Sequence, residues 1–346
     1  MPLRVNLIGW NNGVGLTRDL RLLEQALCES GYVVHVTAIG RGKLRKWFRP
    51  PLLRARSRLA RLFRRPPAYD VNIMLEHVRA EDLGSARINL FIPNPEWCQP
   101  VDVALLPRLD GVLAKTRHAE RLFRELGVAT AFIGFTSEDR LDASVPREQR
   151  FFHLAGRSSN KGTDALIALW RRHPEWPRLT VLQSPRTARA LDPAPANIEH
   201  RVDYIDDAEL RRLQNACRFH VCCSETEGFG HYLVEAMSVG AVVLTTDAEP
   251  MNELVDAGRG VCIPAGRTGR QQLATTYYVD EHALEEAIER LVVADTAHLE
   301  RLGEAARRWY VDNDRAFAGR LASAIGQLAS ARARTGADIE GSRASA

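Results

Sequence analysis

Apolar residues fall along this chain in two rhythms that alternate. Short continuous runs at residues 3–9, 32–38, 71–75, 88–92, 111–114 and 130–133 predict buried strands. Between them, residues 17–30 carry Leu20, Leu23, Ala26 and Leu27 at helical spacing and close on Gly31; residues 117–126 read the same way. The polar stretch 134–150, with Pro146, predicts a linker. The alternation then resumes, with strands at 151–155, 179–183, 198–205, 219–223 and 241–246 and helices at 165–172, 208–216, 281–292, 298–310 and 315–328. Strand–helix alternation of this kind predicts an α/β fold with doubly wound parallel sheets. At 346 residues the chain has room for two domains, 1–140 and 147–314, then a helix over 315–330 and a mobile tail over 331–346 rich in Ala, Arg, Gly and Ser.

Candidate chemistry sits where strands end. The run 219–223 is followed by Ser224, Glu227, Gly228, Phe229 and Gly230, and then by a helical pattern that carries Glu235 in its second turn. In open α/β sheets the carboxyl ends of strands are where ligands bind. Glycines there let a bulky polar ligand reach the backbone, and a helix N-terminus suits a phosphate. Glu235 is placed to accept hydrogen bonds from sugar hydroxyls. After residues 151–155 comes a second such loop, with Gly156, Arg157, Lys161 and Gly162, whose two cations are suited to neutralising a diphosphate. A third follows the first strand, with Gly13 and Gly15. A dinucleotide-binding loop needs a further glycine where Arg18 stands and an acid at the end of the second strand; both are missing, which excludes hydride transfer.

The pair Glu227 and Glu235 in this setting resembles the Glu-x7-Glu motif of retaining glycosyltransferases with the GT-B fold, especially family 4 (group 1). The resemblance implies two Rossmann-like domains facing a cleft, the first for the acceptor and the second for the donor, with the C-terminal helix crossing back onto the first. It implies transfer of a sugar from a nucleotide diphosphate-sugar to a hydroxyl acceptor with retention, in cell-surface glycan or glycolipid synthesis. Glu227 and the backbone of Gly228, Phe229 and Gly230 would hold the donor sugar, and Glu235 the ribose. Arg157 and Lys161 would bind the diphosphate and stabilise it as a leaving group, at a spacing one residue shorter than is usual. Gly13 and Gly15 would face the diphosphate from the first domain; the other reading of their loop is a plain strand-to-helix turn. No cofactor and no metal are implied, and Asp312, Asn313 and Asp314 are read as a turn between helices. For acid–base work in the first domain both His77 and Glu96 are candidates, and the sequence does not choose between them. His231 is as consistent with a helix-cap residue as with a sugar contact, and Glu253 matches a family Glu without the glycines that usually accompany it. Two rival functions fit the same fold: a nucleotide-sugar epimerase, and a non-catalytic sugar-nucleotide-binding or membrane scaffold protein.

Composition refines this picture at two points. The formal charge of +4 is local, because residues 41–65 hold eleven Lys or Arg and no acid, leaving 36 bases against 43 acids elsewhere. Interleaved with Trp47, Phe48, Leu52, Leu53, Leu59, Leu62 and Phe63, that segment suits an anionic membrane surface and a lipid-linked acceptor, and lacks any nucleic-acid-binding motif. Its other reading is a solvated basic helix. Six cysteines without Cys-x-x-Cys spacing predict buried reduced thiols. With no run of about 20 apolar residues and an N-terminus that reads as a strand, the expectation is a cytoplasmic protein, peripheral on the inner face of the membrane.

Overall fold

The computed structural model describes residues 2–11, 13, 15–39, 51–53, 55, 63 and 66–344, with side chains through residue 332. The chain forms two compact units, one made of Met1–Phe135 and Arg315–Ala346 and the other of Thr136–Asp314. The first unit contains β1 (Arg4–Trp10), α1 (Gly15–Glu29), β2 (Val33–Ile39), β3 (Tyr69–Leu75), β4 (Ala86–Ile92), α2 (Pro100–Leu105), β5 (Gly111–Ala114), α3 (Arg117–Glu125) and β6 (Thr130–Phe132). Its strands form a parallel sheet in the order β2-β1-β3-β4-β5-β6. Order reverses between β1 and β3, so the loops after these two strands flank the switch point. The apolar runs supply the core: Val5, Leu7, Val71, Ile73, Leu90, Phe91, Val112 and Leu113 are buried.

The second unit contains β7 (Glu148–Gly156), α4 (Thr163–Arg172), β8 (Leu179–Gln183), β9 (Ile198–Arg201), α5 (Asp207–Ala216), β10 (Cys217–Cys222), α6 (His231–Ser238), β11 (Val242–Thr246), α7 (Met251–Leu254), β12 (Val261–Ile263), β13 (Ala265–Gln271), β14 (Ala274–Val279) and α8 (Glu281–Val292). A parallel sheet runs β12-β11-β10-β7-β8-β9, and β13 and β14 form a separate antiparallel hairpin. Here the switch point lies between β7 and β10, the two strands that precede the two loops richest in candidate residues. Phe151 of β7 stacks on Phe219 of β10 at 4.5 Å between ring centroids and meets Trp170 of α4 edge-on at 5.0 Å. Those aromatic contacts fix the central strands against α4.

Five differences from the sequence reading concern a linker, a turn, the tail, a strand end and a hairpin. Residues 136–140, expected as linker, belong to the second unit, where Thr136, Ser137 and Arg140 are buried. Their polarity serves internal partners: Arg140 bonds to Gln214 and Asp207, and the Ser137 carbonyl accepts from Tyr310 at 2.9 Å. The turn expected at residues 312–314 is absent. One helix, α9 (Thr296–Ala344), runs through it. Leu299 and Leu302 of α9 join the second unit's core, while Phe317 meets Phe135 at 5.0 Å within the first unit and Arg320 donates to the Ile133 carbonyl at 2.8 Å. The helix continues past Ala331 through Ala344, in a stretch rich in Ala and Arg, both strong helix formers. The strand expected over 198–205 stops at Arg201. The β13–β14 hairpin was not foreseen, because the stretch Arg267, Thr268, Gly269, Arg270 and Gln271 has no apolar alternation.

Most of the basic segment 41–65 lies outside the described residues; within it Leu52 and Phe63 are 69% and 67% exposed. Among the described residues, no helix is long and apolar enough to cross a membrane. All six cysteines are free thiols, and Cys98, Cys217, Cys222 and Cys223 are buried. Burial pushes the Cys223 thiol up to about 12, so it stays protonated.

Candidate functional site

Two loops meet at the switch point of the second sheet. The loop after β7 leaves through Gly156 and enters α4 through Gly162, which holds φ +67. A Cβ at Gly162 would lie 2.9 Å from the Cys223 carbonyl oxygen, so only glycine lets this loop close against the end of β10. The loop after β10 enters α6 through Gly230, at φ +103, where a Cβ would meet Leu233 at 2.7 Å. The N-terminus of α4 therefore opens beside the end of β10, from which the loop into α6 departs, and each of the two helices has first-turn N–H groups that it does not itself use.

Lys161 of the first loop is ion-paired with Glu227 of the second, both side chains 14% exposed. The Lys161 Nζ also lies 3.3 Å from the Ser224 hydroxyl and 3.5 Å above the Tyr232 ring. Ser224 donates to Glu227 and exchanges a hydrogen bond with the Tyr232 hydroxyl, and its carbonyl accepts from Thr246 at 2.9 Å. Burial keeps the Tyr232 phenol well above its ordinary pKa, so it remains a neutral donor. Ser224 and Tyr232 were not singled out as site residues from sequence. Tyr232 fitted the apolar face of its helix, and nothing in a linear pattern shows its hydroxyl turning toward Ser224.

Glu235 lies deeper, 1% exposed, and accepts from the Gln214 amide at 2.9 Å. Gln214 in turn accepts from Arg140 at 3.0 Å, and Arg140 also reaches Asp207 at 3.0 Å. Gln214 and Arg140, buried and far apart in the chain, were invisible to sequence reading. Arg157 is exposed and, among the described residues, has no ion-pair partner, so Lys161 and Glu227 are joined and Arg157 stands apart. Gly228, Phe229 and Gly230 are buried in the turn. His231 begins α6, and its Nδ1 lies 2.7 Å from the Ser137 hydroxyl. Glu253 lies on the short α7, and Asp312 to Asp314 are turns of α9 rather than a loop.

The remaining candidates belong to the first unit. Gly13, at φ +74, donates its N–H to the Thr17 hydroxyl at 2.8 Å, and Gly15 begins α1. His77 follows β3, next to Glu76 in a left-handed conformation at φ 64. Its Nδ1 lies 2.9 Å from Asp102, a carboxylate that also accepts N–H groups from Val78 at 2.8 Å and Gln99 at 2.9 Å. The Asp102 hydrogen bond holds the His77 imidazole above its ordinary pKa, against partial burial. Burial pushes Asp102 up, but its hydrogen bonds from His77, Val78 and Gln99 outweigh this and leave it below the usual range. Glu96 is buried in the turn after β4, and the neighbouring Asn94 accepts from Lys115 at 3.1 Å. Lys115 pairs with the buried Asp19 at 2.5 Å.

Comparison with known proteins bears on the family of one stretch and on the fold. Residues 196–309 match the family model for glycosyl transferases group 1. GDP-mannose:cellobiosyl-diphosphopolyprenol alpha-mannosyltransferase from Xanthomonas oryzae is 32% identical over 120 residues. That match covers 31% of this chain and 31% of the relative, so less than a third of the relative's length is represented. Sucrose-phosphate synthase from Thermosynechococcus elongatus superposes with a TM-score of 0.68 at 18% identity, over 95% of this chain and 100% of that one. The Anabaena HepE protein in complex with UDP-glucose gives 0.62 at 14% identity, over 96% and 100%. At such identities the structural likeness speaks for the fold alone. The fold is that of the GT-B glycosyltransferases, and the stretch similar to glycosyl transferases group 1, residues 196–309, lies in the second unit.

Proposed function

We propose that the protein transfers a sugar from a nucleoside diphosphate-sugar to a hydroxyl acceptor with retention of configuration and without a metal ion, in glycan or glycolipid synthesis. The observation that carries this reading is the Lys161–Glu227 pair on adjacent strand-end loops at the sheet's switch point. A diphosphate entering there exchanges a carboxylate for a phosphate as the partner of Lys161, which releases Glu227 to accept from donor sugar hydroxyls. Arg157, exposed at the mouth of the same loop, adds a second cation, and the N-terminus of α6 adds its dipole. In the reaction the bond from the anomeric carbon to the phosphate oxygen breaks. The acceptor oxygen bonds to that carbon from the same face, and its proton passes to the departing phosphate. Fixed positive groups around the leaving oxygen are the main electrostatic contribution available. Glu235, preset by Gln214, accepts from the ribose. On the acceptor side the geometry favours His77 over Glu96 as the group that orients the acceptor hydroxyl, because Asp102 holds its Nδ1 while its Nε2 faces the Glu76 carboxylate at 3.8 Å, beyond hydrogen-bond reach.

The Xanthomonas relative is named for a diphosphopolyprenol acceptor, and HepE was solved with UDP-glucose; both support a nucleotide-sugar donor, and the first a lipid-linked acceptor. The basic and apolar residues of 41–65 support docking on the inner face of a membrane, at about 1 kcal/mol per base near an anionic leaflet. The test is turnover of UDP- and GDP-sugars with and without a lipid extract, in the presence and absence of EDTA. Transfer that depends on extract and survives EDTA is expected. Conversion of the nucleotide sugar with no acceptor would establish the epimerase instead, and loss in EDTA with recovery in manganese would overturn the metal-free step. Glu substituted for Arg54, Arg58, Arg61 and Arg65 should release the protein from anionic vesicles while sparing a short soluble acceptor. Equal, negligible binding of the unaltered protein to anionic and neutral vesicles would remove the membrane part.

A further inference from the structure

The β13–β14 hairpin stands outside the parallel sheet, yet it touches both candidate donor loops. At its tip Gln272 takes φ 51, a conformation that non-glycine residues seldom adopt, and the chain reverses between Gln271 and Ala274. Just before that reversal, the Gln271 side-chain oxygen accepts from the Asn160 amide at 2.7 Å. Asn160 immediately precedes Lys161. On the returning strand the Tyr277 N–H donates to the Glu225 carbonyl at 2.7 Å. Glu225 lies two residues before Glu227. The two loops are also joined directly, by the Glu225 N–H donating to the Asn160 carbonyl at 3.0 Å. Asn160, Gln271, Tyr277 and Glu225 thus close a ring of three hydrogen bonds through the hairpin. The hairpin's outer face is braced by the Arg267 guanidinium, 3.4 Å from the Tyr278 ring.

A ring constrains more than its bonds taken singly, because with all three made the two loops are held along two paths, and opening any one leaves them joined along a single path that fixes their separation less closely. The separation it sets is that between Lys161 and Glu227. We infer that the hairpin is a clasp that presets these two loops for a nucleoside diphosphate-sugar, with Gln271 as its side-chain positioning residue. This rests on the donor reading proposed above. Gln271 touches neither reacting group; it acts through Asn160, and a preset loop spares the donor the ordering entropy it would otherwise oppose.

The experiment combines binding and backbone exchange on the full chain. Asn160→Ala, Gln271→Ala and the double variant are titrated with UDP and with GDP by calorimetry, and amide hydrogen exchange is followed in each ligand-free protein. Each single variant should weaken binding about threefold to tenfold, as for a neutral hydrogen bond, and the double should be no weaker than the poorer single. Exchange should rise at residues 157–162 and 224–230 and stay unchanged in β7, β10 and β11. Such local loosening without change in the sheet is a readout that a general loss of stability does not give. If Gln271→Ala leaves loop exchange and affinity as they were, or if the two substitutions multiply in their effects, the clasp is wrong. If the unaltered protein binds neither nucleotide, the donor reading fails and takes the clasp's purpose with it.

Discussion

Replacing Lys161 with Met separates two roles that the ion pair combines. Methionine keeps an apolar stem over the Tyr232 ring and removes the charge, leaving Glu227 beside Ser224 as its donor. Exposed pairs contribute about 0–1 kcal/mol, whereas removing one partner of a fully buried pair costs about 3–5 kcal/mol. With both side chains 14% exposed and one hydroxyl still serving Glu227, the loss should fall between, at about 1–3 kcal/mol. Adding Glu227→Gln removes the stranded carboxylate, so Lys161→Met/Glu227→Gln should recover most of that stability. Donor binding should respond differently. A charge-assisted bond to diphosphate contributes about 1.5–3 kcal/mol, so UDP or GDP should bind roughly 10- to 150-fold more weakly to Lys161→Met, and the double variant should not recover. Denaturant unfolding, monitored at the tryptophans, and calorimetric titration read the two quantities on the same samples. A double variant no more stable than the single would show that Glu227 is not stranded by the loss of Lys161. Unchanged nucleotide affinity in Lys161→Met would remove this lysine from the donor site.

Three further outcomes follow from buried polar groups. Asn72 is fully buried and uses all its capacity, accepting from Asn6 at 3.0 Å and Ser85 at 3.2 Å and donating to Asn89 at 2.8 Å and the Asp82 carbonyl at 2.9 Å. Asn72→Leu should cost about 3–5 kcal/mol by stranding those partners, and a loss below about 1 kcal/mol in a denaturant melt would contradict the network. Asp102→Asn should lower the His77 pKa toward its ordinary value, read by NMR titration of the ring protons; the paired form should stabilise the fold only between the carboxylate range, where Asp102 protonates, and the raised His77 pKa, where the imidazole loses its proton. Burial depresses His153 to about 4 and His220 to about 3, so both are folded as neutral rings that the unfolded chain protonates. Stability should therefore decline as pH falls from about 6.5, the decline from His153 ending near 4, and His153→Gln should flatten that slope in pH-dependent melts; an unaltered slope would exclude His153 as its source.

How far such features can be read from a sequence depends on where a residue's partner lies. The parallel strands were legible because burial on both faces writes itself as a continuous apolar run, and a one-residue error in the end of β1 changes nothing in the sheet. The Glu227 and Lys161 loops were legible for a related reason: glycines at Gly162 and Gly230 are demanded locally, by φ and by close approach, so the loop announces itself in its own residues. What stayed hidden is every group whose meaning comes from a distant partner. Asn6, Asn72 and Asn89 read as polar interruptions in apolar strands until pairing aligns them in one register across β1, β3 and β4. Gln214 is one more polar helix residue until β10 and α6 bring Glu235 against it. The β13 strand has polar residues on both faces because it pairs with β14 outside the parallel sheet and meets a donor loop through the Gln271 amide, so it leaves no period for sequence analysis to find. The consequence concerns function as much as fold. Residues that would touch the donor are local in their signature, whereas the residues that hold them in place, Gln214 and Gln271, are distributed, as is Asp102 behind the acceptor-side His77, and only coordinates bring them together. Substituting the second group is the sharper probe of this architecture, since it asks whether the site works by the identity of its contacts or by the precision with which the fold presents them.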